Sequence, residues 1–169
     1  MERFRVWFDH VDTRITSFMA RYSITILRIS LGVIFFWFGI LKFFPGLSPA
    51  EALAGRTIER LTFGLISAET AVIILAGWET LIGIGLLWGR FLRATLLVLF
   101  LQMIGTMTPL ILFPSDTFTQ FPYAATLEGQ YIIKNLVLIA AGLVVGATVR
   151  GGWITEQSQA GVASPKRIM

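Results

Sequence analysis

The residues that could do chemistry in this sequence are the few charged and amide side chains that interrupt its long apolar segments. They are Arg28, Lys42, Glu69, Glu79, Gln102, Glu128, Lys134 and Asn135. A charged side chain is expensive to place in hydrocarbon, so such a residue either serves a function or fixes the register of packed helices. These side chains could bind the polar group of a ligand or relay a proton. The sequence leaves the functional and the structural alternatives open.

The composition excludes several kinds of redox and metal chemistry. Cysteine is absent, and histidine occurs once, at His10. A disulfide, a thiol relay, a Cys/His metal site or a bis-histidine haem would need ligands that this chain lacks. We find no nucleophile motif either, and we therefore predict no catalytic residue, no metal site and no covalently bound cofactor. Electron transfer would need a diffusible quinone or another subunit, and we do not expect the isolated chain to be an enzyme.

The elements that must position these residues are transmembrane helices. Of the 169 residues, 55% are hydrophobic and only 14% are charged, and the mean hydropathy is +0.74. The apolar residues form runs of roughly 20, which is the length that crosses the hydrocarbon core as a helix. The predicted spans are residues 23–44, 66–88, 94–113 and 130–149. The sequence thus predicts an all-α, four-transmembrane-helix bundle, with a membrane domain that covers residues 23–150.

Residues 1–22 have a different pattern, which is typical of an amphipathic helix lying at the membrane interface. Apolar residues recur every three or four positions from Phe4 to Tyr22, and four arginines lie off that face. Such a helix can bind anionic lipid, and packing against a soluble partner is the alternative. The segment lacks the apolar core of a cleavable signal peptide. Residues 151–169 are predicted to form a polar tail.

Two shorter signals concern the link after the first span and the end of the third span. Ser48, Pro49 and Glu51 form a capping-box pattern with proline at the first helical position. The apolar residues that follow predict a short helix on the outer surface. Pro109 predicts a kink in the third span.

The placement of lysine and arginine predicts the orientation of the bundle. Nine of these residues fall in the N-terminal segment, the link between spans two and three, and the tail, whereas only Arg56 and Arg60 fall on the opposite side. By the positive-inside rule both termini are then cytoplasmic. Topology also accounts for the net charge of +4, so the charge does not call for a nucleic-acid partner.

The polar residues and glycines of each span share one face. In the first span, Arg28, Gly32, Phe35, Gly39 and Lys42 are spaced by four, three, four and three positions. The other sets are Glu69, Ala76, Glu79 and Gly83; Thr95, Gln102, Thr106 and Pro109; and Glu128, Tyr131, Asn135, Gly142 and Gly146. Lipid offers polar groups no partner, so these faces should meet inside the bundle, where glycine lets the backbones approach closely.

Depth along the helices gives two further hypotheses. At about 1.5 Å per residue, Arg28 and Glu79 are predicted to lie close enough for a buried ion pair in the inner half of the bundle. A second set of charges is predicted to form an outer polar cluster at the mouth of a cavity. Its members are Lys42, Glu69, Glu128 and Lys134.

The first span also resembles the signature of DoxX-like membrane proteins. The motifs are LRISLG at 27–32 and FWFGILKF at 36–43, followed in order by WE at 78–79, TPL at 108–110, FPY at 121–123 and KNL at 134–136. The resemblance is closest to the YkgB-like branch, which is associated with reactive chlorine resistance. It implies a four-helix protein of the bacterial cytoplasmic (inner) membrane. Some relatives are similar to small subunits of quinone-reducing oxidoreductases, and others are implicated in oxidative-stress defence. The paired cysteines of other relatives are missing here, so their thiol chemistry does not carry over.

Three functions remain open on this basis. The first is a quinone- or lipid-head-group-binding subunit of a redox or oxidative-stress-response system, whose electrons come from a membrane redox partner or a larger complex. The second is a non-enzymatic scaffold or accessory subunit. The third is a small channel or carrier, although inverted repeats are absent. The GxxxG spacing of Gly142 and Gly146 serves either packing within the chain or a homo-oligomer.

Overall fold

The structure is a computed structural model that describes residues 2–152, with side chains from Trp7 onward. The helices are α1 (Glu2–Leu41), α2 (Glu51–Leu61), α3 (Ala68–Trp88), α4 (Leu92–Met107), α5 (Pro109–Leu112), α6 (Pro114–Thr117) and α7 (Leu127–Thr148). A short antiparallel ribbon pairs β1 (Phe118–Gln120) with β2 (Ala124–Ala125). Nearly all of the predicted tail, and the side chains of Arg3 and Arg5, lie outside the described residues.

Four helical segments of the described chain are long and apolar enough to cross a membrane. They are Trp7–Leu41, Ala68–Trp88, Leu92–Leu112 and Leu127–Thr148, and they confirm the predicted all-α four-helix bundle. α1 packs on α3, α3 on α4, α4 on α7 and α7 on α1, so the four helices close a ring. Apolar side chains from all four fill its centre, among them Leu31, Ile82, Leu99 and Val145.

α1 is longer than the membrane span that it contains. Its 40 residues extend for roughly 60 Å at 1.5 Å per residue. The helix runs unbroken across the predicted boundary between residues 22 and 23, because no proline or glycine stands there to end it. Between residues 7 and 22 every side chain except the half-buried Val11 is exposed. The location of this segment in the headgroup layer stays a prediction.

The short helix α2 is confirmed, but the predicted capping box is wrong. α2 begins at Glu51, and Ala50 precedes it in the left-handed region with φ 56° and no side-chain cap. The chain therefore does not enter the helix from Ser48 through Pro49. Instead, the Glu51 carboxylate accepts the backbone N–H of Gly46 at 3.1 Å, which closes the preceding turn.

The third span is interrupted at Pro109, where the sequence predicts a kink, because α4 ends at Met107 and α5 begins at Pro109. Proline has no N–H to donate to the carbonyl of Gly105, four residues before it. Thr108 replaces that donor, because both its N–H (3.2 Å) and its hydroxyl (2.7 Å) bond to the Gly105 oxygen. The local structure thus satisfies the carbonyl that the proline leaves free.

The ribbon between α6 and α7 is an element that the sequence patterns did not indicate. Thr126 ends it and caps α7, since its hydroxyl donates to Asp116 O at 2.7 Å and accepts from Gly129 N at 3.1 Å. Gly129 is required here because a Cβ would overlap the backbone carbonyl of Thr117. This tight connection fixes where α7 enters the bundle.

Candidate functional site

The candidate site is a cavity of about 430 Å³ between the four spanning helices, at the end of the bundle that α2 covers. Its walls are mostly apolar, and the helix α2 contributes Leu53, Ala54 and Ile58 to them. The polar side chains in the wall include Lys42, Glu79, Gln102, Thr106, Tyr131 and Asn135. A largely apolar cavity of this size with a few convergent polar groups is typical of a small-molecule binding site.

A buried ion pair and an amide form the polar part of the cavity wall. The Lys42 Nζ lies 2.6 Å from Glu79 Oε2, and each side chain is only 10% exposed. The other carboxylate oxygen, Glu79 Oε1, accepts from Gln102 Nε2 at 2.9 Å. Lys42 also reaches the carbonyl of Phe38 at 3.4 Å. Both oxygens of the carboxylate therefore have partners, which is the condition under which a charge is tolerated in a low-dielectric interior.

Two glycines bring α1 and α3 close enough to form this pair. A Cβ on Gly39 would lie 2.6 Å from the backbone nitrogen of Thr80, and one on Gly83 would overlap the backbone of Phe36. These positions confirm the predicted role of glycine in close helix packing. Lys42 follows Gly39 by three residues, so its ammonium group reaches back to Glu79, which adjoins Thr80.

The orientation of the Gln102 amide is fixed by chemistry. An ionised carboxylate only accepts hydrogen bonds, so the Gln102 NH₂ must face Glu79. The amide oxygen Oε1 then points elsewhere, and it is buried without a hydrogen-bond partner in the described chain. Gln102 is 8% exposed, and it is held on α4 opposite the ion pair.

α7 adds two polar side chains from the other side of the cavity. The Tyr131 ring packs edge-on against Phe38 with 6.0 Å between centroids, and Asn135 lies one turn further along the helix and is half-buried. Within residues 7–152 the side chain of Asn135 makes no hydrogen bond to protein. Polar groups from α3, α4 and α7, and from Lys42 directly after α1, therefore border one cavity.

The predicted ion pair between Arg28 and Glu79 is wrong. Arg28 Nη1 donates to the carbonyls of Leu86 and Leu87, the latter at 3.2 Å. α1 and α3 are antiparallel: Gly39 faces Thr80 while Gly32 faces Leu87. Glu79 is thus level with Gly39, which is eleven residues, or roughly 16 Å, from Arg28 along the axis. The prediction placed each residue by its depth along its own helix, and it therefore missed the axial distance between Arg28 and Glu79.

The structure brings together only part of the predicted outer cluster. Lys42, Glu69 and Glu128 border a second, more open depression beside α2, together with Glu51, Arg56 and Asp116. Glu69 and Glu128 are exposed and form no ion pair in the described chain. Lys134 is exposed on α7 and borders neither depression. Across residues 2–152, no set of three or more His, Cys, Asp or Glu side chains is arranged to hold a metal ion.

Several residues confirm the predicted inward faces. Thr95 and Gln102 of α4 are buried, as are Ala76 and Gly83 of α3. Gly142 contacts the ring of Phe100 on α4, so the GxxxG face packs within the chain. The sequence reasoning missed that α2 would close the cavity, although its apolar stripe from Leu53 to Leu61 was the available signal.

The fold and the cavity define a four-helix integral membrane protein. The family model of DoxX matches residues 23–113, which is more than half of the chain, and the chain belongs to the DoxX family. The matched region contains Lys42, Glu79 and Gln102. It ends before α7, so Tyr131 and Asn135 lie outside it. No curated protein matches the chain, and no solved structure matches it.

Proposed function

We propose that this protein binds a quinone in the cavity and serves as a membrane subunit of a redox or oxidative-stress-response system. The observation that carries the proposal is a mostly apolar cavity whose wall holds the Lys42–Glu79–Gln102 group. A quinone has the matching chemistry, because its ring and isoprenoid chain are apolar and its carbonyl oxygens accept hydrogen bonds. A lipid head group is the alternative ligand.

Lys42 is the residue that would hold a quinone carbonyl. An ammonium group has three donors, and among the described residues two of them have acceptors, Glu79 Oε2 and, through a long contact, Phe38 O. The third donor is available to a ligand in the cavity. Glu79 neutralises the charge of Lys42. Because Glu79 lines the same cavity, it could also exchange a proton with a bound ligand.

Side chains of α3 and α4 that line the cavity are also exposed on the outside of the bundle, which would give the tail of such a ligand a route into lipid. Ile74, Trp78 and Leu101 border the cavity, yet they are 48%, 40% and 54% exposed. Their outer surfaces would contact acyl chains in a bilayer. A ring in the cavity and a tail between these side chains would suit a molecule that diffuses within the membrane.

The resemblance to the YkgB-like branch supports a bacterial cytoplasmic membrane and a stress-response context for this proposal. The chain has no cysteine and one histidine, so the electrons for a bound quinone would come from a partner subunit. Both termini are proposed to lie in the cytoplasm, on the lysine and arginine distribution.

The test measures the melting temperature of the purified protein in detergent with and without a decyl-substituted benzoquinone. Ala54→Phe fills the cavity from α2, whereas Ala52→Phe places the same ring on the exposed side of that helix. We expect the quinone to raise the melting temperature of the wild type and of Ala52→Phe, but not of Ala54→Phe. An absent shift in the wild type, or an equal shift in Ala54→Phe, would contradict the proposal.

A scaffold function is the second candidate, because the first half of α1 exposes large apolar side chains. Phe8, Ile15 and Phe18 are 57%, 53% and 56% exposed. If this segment recruits a partner, blue-native gels of native membranes should show a larger complex, and serine at these three positions should remove that complex and leave quinone binding intact. An unchanged complex would argue against the scaffold.

A further inference from the structure

The first half of α1 has an apolar face that the described part of the bundle does not cover. Its residues are Phe8, Val11, Ile15, Phe18 and Tyr22, which we call the α1 seam. All of them are exposed except Val11, which is half-buried. The rings of Phe18 and Tyr22 lie 4.9 Å apart between centroids, so both point to the same side of the helix. An exposed apolar face of this kind marks a surface that something else covers.

The shape of α1 argues against lipid as the cover. The seam continues into the first span as one α-helix, and residues 2–31 contain no proline or glycine. Sharp kinks almost always occur at such residues or at a π-bulge, and α1 has none of them in this range. A helix in line with its span projects beyond the bilayer, because 40 residues extend for roughly 60 Å and the hydrocarbon core is about 30 Å thick. The seam then faces water unless another protein covers it.

The spacing and the charges of the α1 seam fit a second copy of the same helix. The seam residues follow one another at intervals of three, four, three and four positions, which is the a and d pattern of paired helices. Asp12 borders one edge of the seam, and Arg14 and Arg21 border the other. In a parallel pair related by a two-fold axis, each edge faces the opposite edge of the other copy. The acidic edge of one copy would therefore lie beside the basic edge of the other.

The membrane places a second copy in the orientation that this pairing needs. All copies cross the bilayer in the same direction, so two copies present their seams in parallel and at the same height. At 3.6 residues per turn, the centre of the seam lies about 160° around α1 from the buried core residues Leu31 and Phe35. Ile29 and Val33 continue the seam side into the span and are 42% and 48% exposed. The seam is therefore on the outside of the bundle, where a second copy can reach it.

We propose that this protein forms a dimer in which the α1 seams of two copies pair as parallel helices. Pairing would remove five side chains of each copy from water, which is the main driving force for association. The proposal does not depend on quinone binding, since the cavity is lined by the other end of α1, from Ile34 onward. It names the partner of the first half of α1 as a second copy of the chain.

The experiment cross-links single cysteines in membranes of cells that express the full chain, which has no cysteine of its own. Ile15→Cys places the thiol in the seam, and Ser17→Cys places it on the far side of the same helix, where it is also exposed. With a short bismaleimide, Ile15→Cys should give a band at twice the chain mass of 18.8 kDa. Ser17→Cys should stay at the monomer mass, because pairing through the seam holds the two far sides apart.

A second pair of variants tests the dimer without a cross-linker. Ile15→Glu places a charge between the paired helices, whereas Ser17→Glu places the same charge on the far side. Light scattering of the purified protein in mild detergent should give a dimer mass for the wild type and for Ser17→Glu, and a monomer mass for Ile15→Glu. A monomer mass for the wild type would contradict the proposal. If Ile15→Glu does not fold, the two cysteine variants still decide the question.

Other covers of the seam give different results in the cross-linking experiment. A band from Ile15→Cys at a mass other than that of the dimer would mean that a different protein covers the seam. An Ile15→Cys chain that stays monomeric, and that a water-soluble maleimide labels only after the bilayer is dissolved, would place the seam in lipid. Equal cross-linking of Ile15→Cys and Ser17→Cys would reflect random collision. Each of these three results would overturn the dimer.

Discussion

Two ion pairs in this protein have the same length and very different surroundings. Lys42–Glu79 and Arg56–Asp116 both have a nitrogen–oxygen distance of 2.6 Å. The first pair is 10% exposed at both side chains, whereas the second is 51% and 37% exposed. Water screens the second pair and can solvate either of its charges when the other is removed. The first pair is buried, so a charge left without its partner there cannot be solvated in the same way. Burial, and not distance, therefore decides how much each pair contributes to stability.

The largest effect is expected when the buried pair loses one partner. Lys42→Met leaves the Glu79 carboxylate without its cation and should destabilise the protein by about 3–5 kcal/mol. The double variant Lys42→Met/Glu79→Leu should recover much of this loss, because neither charge is then stranded. Thermal or denaturant unfolding in detergent measures both values.

Lys134→Met is the matched control for this variant, since Lys134 is an exposed lysine of a spanning helix and forms no ion pair within the described residues. It should leave stability nearly unchanged. The expectation for the buried pair is wrong if Lys42→Met lowers stability no more than Lys134→Met does. It is also wrong if the double variant is no more stable than Lys42→Met alone.

An intermediate effect is expected at Arg28, whose partners among the described residues are backbone carbonyls. Arg28 bonds to the carbonyls of Leu86 and Leu87 at the C-terminal end of α3, where a helix has unsatisfied acceptors and partial negative charge. Arg28→Met should cost about 1–2 kcal/mol, because the side chain is only half-buried. The exposed Arg90 provides the comparison, and Arg90→Met should be close to neutral in the same unfolding assay.

Arg28 also tests the helix pairing directly. In a cycle of Arg28→Met and Glu79→Gln, the two effects should add, since the residues belong to different ends of the α1–α3 contact. A coupling energy above roughly 1 kcal/mol would instead support the Arg28–Glu79 ion pair that the sequence predicted.

The smallest effect is expected at the exposed pair. Arg56→Gln should change stability by about 0–1 kcal/mol, and the change should shrink at high salt, where exposed charges are screened. Arg60→Gln on the same helix is the control, because Arg60 is exposed and has no ion pair in the described part of the chain. A large and salt-independent loss at Arg56 would mean that exposure does not separate the two pairs as argued.

The sequence predicted the site residues better than their partners. Lys42, Glu79, Gln102 and Asn135 were all selected as polar interruptions of apolar segments, and all border the cavity. Periodicity also placed Gly39 and Gly83 correctly on the faces that meet. The partner of Glu79 was wrong because the relative height of two helices depends on the turns that join them. Here α1 ends at Leu41 and α2 intervenes before α3, which places Lys42 beside Glu79.

Other features depended on contacts between distant segments and had no local signal. The start of α2 depends on the left-handed Ala50 and on the bond from Gly46 to Glu51, and the capping pattern misled the prediction. The closure of the cavity by α2 depends on its packing against α3. The unpaired oxygen of Gln102 exists only because Glu79 takes the other end of the amide.

By itself, the sequence determined that this chain is a bundle of four membrane-spanning helices and predicted much of the inward face of each helix, although Glu69, Glu128 and Tyr131 of the predicted faces are exposed. Run length and periodicity suffice for both, because hydrocarbon penalises an exposed backbone and an unpaired charge wherever they occur. Only the tertiary structure decided which inward residues touch. Pairing depends on the axial offset between helices, and that offset is set by glycine contacts and connecting turns that no single segment contains.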